Sequence, residues 1–512
     1  MNKNNVAVAM KWSLIAEVAT KAIAPVTNAI LARLLIPEVF GLVATINMVI
    51  SFANVFTDAG FQKYIIQHEF KDKKDENESI NVAFWSNLFI SVFLFFVVLF
   101  FKNQIVTLVS SSDPDSLSSA FTGTKEFGWG IAIATLTLPI TAFSSIQMAV
   151  YKRSMDFKSL FFVRLAGSLI PLFVTIPLAY FTRSFWSLVI GSLAGELSNA
   201  IILSIFSKWK PSFSFNPQKF FEMLSFCYWI LIESVLIWLS GYIGTFIVGK
   251  FLSTYYLGIY KTSESTVVHI VTMITASTNA VLFPSISRLQ NNRDKMCNFF
   301  IDFMKMVAMV IIPMGFGMYL YSDCITDILL GSQWTEAIPF IGLWGLCNAF
   351  CLILASYWDS LFNAIGKPKY SAITQLLYLV VLAALLYYGA AHGYEMLYKL
   401  RCLSRLVYIV IELVAVWIVF RIRMIKIVKL IMPSILCSVP MIVAALLLRR
   451  FVGGGTILQL FQIAVCGVVY LTTALIYPST RRDIISILAM MKIPLPKKLA
   501  KFAEKPEKES EG

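Results

Sequence analysis

The chain has 512 residues, 58% of them hydrophobic and only 14% charged, with a mean hydropathy of +0.74 and a formal charge of +14. Soluble globular chains carry roughly 25% charged residues, and the deficit runs along the whole length, so a large water-soluble domain is excluded. Cysteines such as Cys227, Cys347, Cys402 and Cys437 fall inside apolar runs without CxxC or Cys/His spacing, so they read as small buried residues, with no metal and no cofactor implied.

Taken in order, about fourteen apolar helices are predicted, near 10–35, 41–66, 80–101, 127–151, 160–180, 185–207, 219–250, 257–288, 296–320, 337–364, 370–389, 395–420, 427–448 and 457–477. The segment before Lys11 has no cleavable leader pattern, so the first helix is expected to be retained. Cations crowd into alternate connections: Lys71, Lys73 and Lys74; Lys152, Arg153 and Lys158; Lys208, Lys210 and Lys219; Arg421, Arg423, Lys426 and Lys429; and the tail. The intervening connections hold few, among them Arg33, Lys102, Lys125, Arg183 and Lys250. This asymmetry is the positive-inside pattern. It places both termini of a multi-pass membrane protein in the cytoplasm, and it assigns the excess positive charge to lipid headgroups rather than to nucleic acid.

A repeat is embedded in the pattern. Residues 30–41 read ILARLLIPEVFG and residues 247–258 read IVGKFLSTYYLG. Each gives an apolar helix end, one cation (Arg33, Lys250), a turn, and a glycine opening the next helix (Gly41, Gly258). Six helices lie in each copy, so the copies are parallel and predict two similar lobes with a site between them. The expected organisation is an all-α polytopic membrane protein: an N-lobe at 1–215, a C-lobe at 216–424, two extra helices at 425–480 and a cytoplasmic tail at 481–512.

Polar residues collect on the first two helices of each copy. The first helix carries Glu17, Lys21, Pro25 and Asn28, and the second Asn47, Ser51, Asn54, Asp58 and Gln62 along one arc. The seventh carries Glu222, Glu233 and Ser240; the eighth carries Lys261, Glu264, Ser265, His269, Thr272, Thr275 and Asn279. Charges inside a bilayer are costly and face a cavity or one another. Glu17 and Lys21 also suit an i,i+4 pair, Lys63 and Lys261 suit snorkelling, and Arg401 and Arg405 could reach the surface. No nucleotide-phosphate loop or nucleophile elbow is present and only three histidines occur, so the pattern points away from an enzyme.

The run from Lys11 to Gln67 resembles the start of bacterial polysaccharide flippases of the Wzx type. The resemblance is carried by Ala32, Arg33, Leu34, Leu35, Pro37, Glu38, Phe40 and Gly41, then by Phe56, Asp58, Gly60 and Phe61, with QMAVYKRSMDFK at 147–158 as a further match. It covers most of residues 10–480 and is specific over the first 160. The resemblance implies the multidrug/oligosaccharidyl-lipid/polysaccharide exporter fold working by alternating access. It also implies an undecaprenyl-diphosphate-linked oligosaccharide as substrate, moved from the inner to the outer leaflet for O-antigen, capsule or exopolysaccharide synthesis, with a polysaccharide polymerase as a possible partner. On that reading Lys21, Lys261, Lys63 and Arg164 suit the diphosphate, and Asn28, Asn47, Asn54, Gln62 and Asn279 suit sugars. Glu17, Asp58, Glu233, Glu264 and Asp359 are candidates for ion coupling. A cation-coupled drug or metabolite exporter of the same fold, a lipid II flippase, and a membrane polymerase or ligase are the rival readings.

Overall fold

A computed structural model describes residues 23–481, apart from 58–59, 69, 110–123, 155, 208, 289–292, 365–367, 423, 453–454 and 478–479. Every regular element among the described residues is helical. In chain order they are α1 (Ile23–Leu34), α2 (Pro37–Thr57), α3 (Phe61–Gln67), α4 (Lys73–Val109), α5 (Thr124–Ala134), α6 (Thr137–Arg153), α7 (Phe157–Thr182), α8 (Trp186–Phe206) and α9 (Pro217–Phe251). They continue with α10 (Thr254–Arg288), α11 (Arg293–Leu320), α12 (Ser322–Leu329), α13 (Ile338–Cys351), α14 (Tyr357–Ala364), α15 (Pro368–Ala391), α16 (Tyr394–Phe420), α17 (Met424–Val452) and α18 (Thr456–Ile476).

Twelve spans among the described residues are long and apolar enough to cross a membrane. Two of the fourteen expected helices are not in that set. The first begins outside the described residues and leaves the short α1, and α10 is long but diluted by its polar face. Local chemistry explains the breaks. The expected helix at 127–151 is divided into α5 and α6, where Pro139 cannot donate to the carbonyl one turn back and the Thr135 and Thr137 hydroxyls bond to the Ala132 and Ala134 carbonyls instead. Gly60, with φ 95°, turns the chain from α2 into α3, a backbone conformation that costs glycine least. A π-helical turn at Leu352–Ser356 separates α13 from α14.

The chain forms two compact units. One takes residues 1–276, 329–337 and 375–401; the other takes 277–328, 338–374 and 402–512. Packing rather than repetition defines these units, so their limits differ from those of the sequence repeat. Apolar cores of the first unit lie around Leu35, Ile46, Ile131 and Phe185, around Phe61, Val82, Phe84, Ile146 and Met223, and, smaller, around Leu160, Val163 and Leu203. The second is built on Met309, Tyr321, Cys437, Met441 and Tyr470, with Tyr470 donating to the Met309 carbonyl at 2.6 Å.

The repeat has a physical counterpart in the first unit. A Cβ added to Gly41 would stand 2.1 Å from the Thr254 carbonyl oxygen, and one added to Gly258 would stand 1.8 Å from the Pro37 carbonyl oxygen. Pro37 and Thr254 open α2 and α10, and each glycine lies one turn in. The two hairpins therefore meet reciprocally, each glycine against the first carbonyl of the other's helix. Only a residue without a side chain permits so close a backbone approach. In the same unit, Arg153 clamps three segments: it bonds Glu76 at 2.8 Å, the Ile65 carbonyl at 2.7 Å and the His68 carbonyl at 2.9 Å. Lys219 at the start of α9 reaches Asp75 and, at 3.2 Å, Glu78.

Candidate functional site

The first unit contains a cavity of about 330 Å³ with a polar lining from five helices: Ser51 and Asn54 of α2, Gln62 of α3, Asn87 of α4, Thr141 and Ser145 of α6, and Ser234 of α9. These side chains are held by neighbours rather than by solvent. The Trp238 indole donates to the Ser51 hydroxyl at 2.7 Å, the Thr57 hydroxyl donates to the Asn54 side chain at 3.4 Å, and Lys152 donates to the Gln62 carbonyl oxygen at 3.4 Å.

Asn87 fixes the character of the cavity. Ser145 gives its hydroxyl hydrogen to the Ala142 carbonyl at 3.1 Å, so it can only accept from Asn87, and the Asn87 Nδ2 donates to it at 2.8 Å. The orientation of the amide follows. Its Oδ1 is then an acceptor on a residue 2% exposed, and that oxygen is buried without a hydrogen-bond partner. A buried unpaired carbonyl oxygen costs about 1–3 kcal/mol, so the neighbourhood of Asn87 is less than fully satisfied in this structure.

The predicted residues scatter around this centre. Asn54 and Gln62 line the cavity. Asn28 lies on α1 and its Nδ2 is 3.2 Å from His269 Nε2, so those two residues occupy each other. Asn47 is exposed on α2, Lys63 is exposed on α3, and Arg164 is half-buried on α7; none of the three is among the lining residues. Lys21, Glu17 and Asp58 lie outside the described residues, as do the side chains of Glu233, Asn279 and Asp359.

Lys261 and Glu264 are drawn into one cluster, although the sequence suggested separate roles for them. Glu264 Oε1 accepts from Arg401 through Nε at 3.1 Å and Nη2 at 2.9 Å, and from the Tyr260 hydroxyl at 3.1 Å. Its Oε2 lies 3.4 Å from Lys261 Nζ, and Arg401 Nη1 also donates to the Tyr378 hydroxyl at 3.1 Å. Arg401 is 4% exposed and Glu264 7%. Arg401 therefore points inward to a carboxylate, not outward to the surface. Two cations, Arg401 and Lys261, thus share the Glu264 carboxylate. Lys261 is the accessible one, over the Tyr242 ring at 5.0 Å and with its side chain 30% exposed. Tyr242 in turn stacks on Trp238, the residue that holds Ser51 at the cavity.

Among the described residues, no group of three His, Cys, Asp or Glu side chains is placed to hold a metal ion. A family model described as polysaccharide biosynthesis protein matches residues 30–339, more than half of the chain. The chain belongs to the polysaccharide biosynthesis protein family. It is similar to the succinoglycan biosynthesis transport protein ExoT of Rhizobium meliloti (strain 1021), 23% identical over 381 residues, covering 71% of this chain and 73% of that protein. It is similar also to the lipopolysaccharide biosynthesis protein WzxC of Escherichia coli (strain K12), 20% identical over 362 residues, covering 70% of this chain and 67% of that protein. Among solved structures it superposes on the lipid II flippase MurJ in an inward closed conformation, with a TM-score of 0.68, 13% identity, and coverage of 92% of this chain and 98% of the other. A multidrug resistance MATE family transporter of the MOP superfamily in an inward-facing conformation gives 0.62, 13% identity, 81% and 98%. At such identities the superpositions speak of fold, and the fold is that of MOP-superfamily transporters.

This member of the polysaccharide biosynthesis protein family is thus a multi-pass membrane protein whose relatives include polysaccharide transport proteins. The sequence reading found the α2 part of its cavity and missed the α4 and α6 parts. Asn87 stands with Ser86 and Ser91 in a long apolar run, and Thr141, Ser144 and Ser145 are close together in the next span. Each is a short polar island, whereas the reading followed arcs several turns long. Asn87 with Ser86 and Ser91, inside the lipid-like stretch that follows Val82, was the available signal.

Proposed function

We propose that the protein moves a polyprenyl-diphosphate-linked oligosaccharide, with undecaprenyl as the carrier, from the inner to the outer leaflet of the bacterial cytoplasmic membrane by alternating access, with both termini inside. The observation that carries the reading is the cavity: its described lining offers hydroxyls and amides, including the unsatisfied Asn87 acceptor, amid strongly apolar helices. Sugar hydroxyls both donate and accept, and such a surface serves them at modest desolvation cost. A site built for cationic drugs would instead present carboxylates to the ligand.

In this reading Asn54, Gln62 and Asn87 contact the sugar, while Lys261, backed by Arg401 and Glu264, draws the diphosphate. Lys21, Lys63 and Arg164 remain candidates for the same charge, and Asn28, Asn47 and Asn279 for the glycan. The prenyl tail stays in lipid. An inside-negative potential favours outward movement of the anionic headgroup by about 2.3 kcal/mol per charge per 100 mV. A polymerase at the outer leaflet would consume the product. The test is deletion of the gene, followed by assay of surface polymer and of lipid-linked oligosaccharide on each leaflet. Accumulation at the inner leaflet, restored by the wild-type chain and not by Asn87→Leu, is the expected result. Unchanged polymer and no accumulation in the deletion strain would sink the proposal.

A further inference from the structure

The polar side chains around the cavity have their hydrogen-bond directions set by the groups behind them. Lys152 can only donate, and its Nζ lies 3.4 Å from Gln62 Oε1, so the Gln62 carbonyl is engaged and its Nε2 is left to donate. The Trp238 indole is also only a donor and gives its hydrogen to the Ser51 oxygen at 2.7 Å. A hydroxyl that accepts in this way becomes a better donor, and the Ser51 hydrogen remains to be given. The Thr57 hydroxyl lies 3.4 Å from Asn54 Oδ1, which turns the Asn54 Nδ2 the other way.

On α4 and α6 the acceptors are engaged or buried. Ser145 gives its hydrogen to the Ala142 carbonyl and accepts from Asn87, whose own Oδ1 is buried. The described lining is therefore biased toward donation: Ser51, Asn54 and Gln62 have O–H or N–H groups to give, and the Thr141 and Ser234 hydroxyls can turn either way. Among the described lining residues none is charged, and Val55 and Ala142 add small apolar surfaces.

Three kinds of glycan group can be weighed against this lining. A sugar hydroxyl brings a hydrogen that needs an acceptor of its own. A carboxylate only accepts, but it would leave water with no described cation in the lining to meet it. An acyl carbonyl only accepts, carries no charge, and brings a methyl group suited to Val55 and Ala142. The volume of about 330 Å³ stands at the small end of the range for ligand sites, which fits one substituted sugar rather than a whole oligosaccharide.

We propose that the cavity is an acyl-sugar subsite, in which Ser51, Asn54 and Gln62 donate to the carbonyl oxygen of an acetyl group carried on a glycan nitrogen or oxygen. Lys152 is a positioning residue that fixes which way Gln62 faces. The subsite rests on the lipid-linked oligosaccharide reading and deepens it.

α9 places the subsite relative to the charged cluster. Ser234, Trp238 and Tyr242 follow one another at four-residue intervals and share one face of the helix. Ser234 lines the cavity, Trp238 holds Ser51, and Tyr242 stacks on Trp238 with Lys261 over its ring. From Tyr242 to Ser234 the helix rises about 12 Å. A diphosphate drawn to Lys261 therefore leaves the first sugar between the two sites, and the acyl group belongs on the second.

The test is calorimetric binding of synthetic undecaprenyl-diphosphate disaccharides to the full chain in lipid nanodiscs. The first sugar is glucose, and the second is glucose, N-acetylglucosamine, 6-O-acetylglucose or glucuronic acid. An acetyl form is expected to bind about tenfold tighter than the glucose form, and the tighter of the two names the linkage. Gln62→Glu keeps an oxygen toward Lys152 but replaces the donating nitrogen, and should erase that gain. Lys152→Met frees the amide to turn and should reduce the gain, whereas Lys152→Arg, which still only donates, should keep it. Equal binding of glucose and acetyl forms, or tightest binding of the glucuronic acid form, overturns the acyl subsite and leaves the flippase reading standing. The wild-type ranking decides this even where a variant fails to fold. An equal gain from an acetyl group on the first sugar overturns the placement along α9. Binding of none of the four refutes the flippase reading, and the subsite with it.

Discussion

Two polar regions of the first unit handle hydrogen bonding in opposite ways. Around Glu264 every strong group is answered: both carboxylate oxygens are taken, and Arg401 divides its donors between Glu264 and Tyr378. Around Asn87 the bonding stops short, with one buried acceptor left unpaired on a residue that lines a cavity bounded by hydroxyls. A closed network stiffens the helices that supply it, while an open one reserves its free energy for a ligand. The comparison teaches that charge alone does not distinguish the two regions; unmet hydrogen-bonding capacity does.

The comparison breaks first at Arg401. Arg401→Ala leaves Glu264 buried with Lys261 as its remaining cation, and truncating one partner of a buried pair costs about 3–5 kcal/mol. The measurable outcome is a sharp drop in the thermal unfolding midpoint in detergent and in the amount of protein recovered from membranes. The double variant Arg401→Leu, Glu264→Leu should regain most of the loss, since an apolar pair carries no unpaired charge. Equal instability of the single and double variants would mean that shape, not charge, is what the cluster supplies.

Next in size are the reciprocal glycines. Gly41→Val and Gly258→Val each drive a side chain into a backbone carbonyl that already stands within 2.1 Å and 1.8 Å of an added Cβ. Overpacking of this kind costs about 1–3 kcal/mol, more than any gain in helix propensity. The two variants should be destabilised to similar degrees, because the contact is reciprocal. A harmless Gly41→Val beside a damaging Gly258→Val would show that the hairpins meet asymmetrically.

Asn87→Leu comes third for stability and is expected to be large for function. It removes the 2.8 Å bond to Ser145, worth about 1 kcal/mol, but it also removes the burial of an unpaired oxygen, so the unfolding midpoint should move little. Polymer assembly should nevertheless fail, because the open acceptor is gone. Stable protein with normal polymer would return Asn87 to the closed kind of network.

The sequence already displayed much of this architecture. Apolar runs of sufficient length located the spans, and the hairpin residues 30–41 and 247–258 announced a duplication whose two glycines pack against each other. Asn54 and Gln62 were legible because their polar spacing runs along the predicted second helix, although Gly60 divides that helix between them into α2 and α3. The Glu264–Arg401 pair was not legible: 137 residues separate the partners, and no periodicity within one helix reports on a contact made by another. Lys261 and Glu264, three residues apart, were close enough in sequence to suggest a pair, yet their surroundings depend on Arg401 and Tyr378. Asn87 stayed hidden because a lone amide makes no arc, and its importance comes from the direction Ser145 gives it.

The smallest expected effect tests the rule from the other side. Lys399 and Glu395 form an ion pair at 2.6 Å, shorter than the 2.9 Å between Arg401 and Glu264, yet their side chains are 53% and 73% exposed. Water solvates both ions whether or not they touch, and holding two long side chains together costs entropy. Lys399→Ala should therefore leave the unfolding midpoint and polymer output unchanged, and added salt should alter neither. The longer Lys261–Glu264 contact, at 3.4 Å, should matter more, because Glu264 cannot reach water and Lys261 is the cluster's accessible cation. Lys261→Ala should cut polymer output while Lys399→Ala does not; if the two behave alike, distance rather than burial governs the ion pairs of this unit.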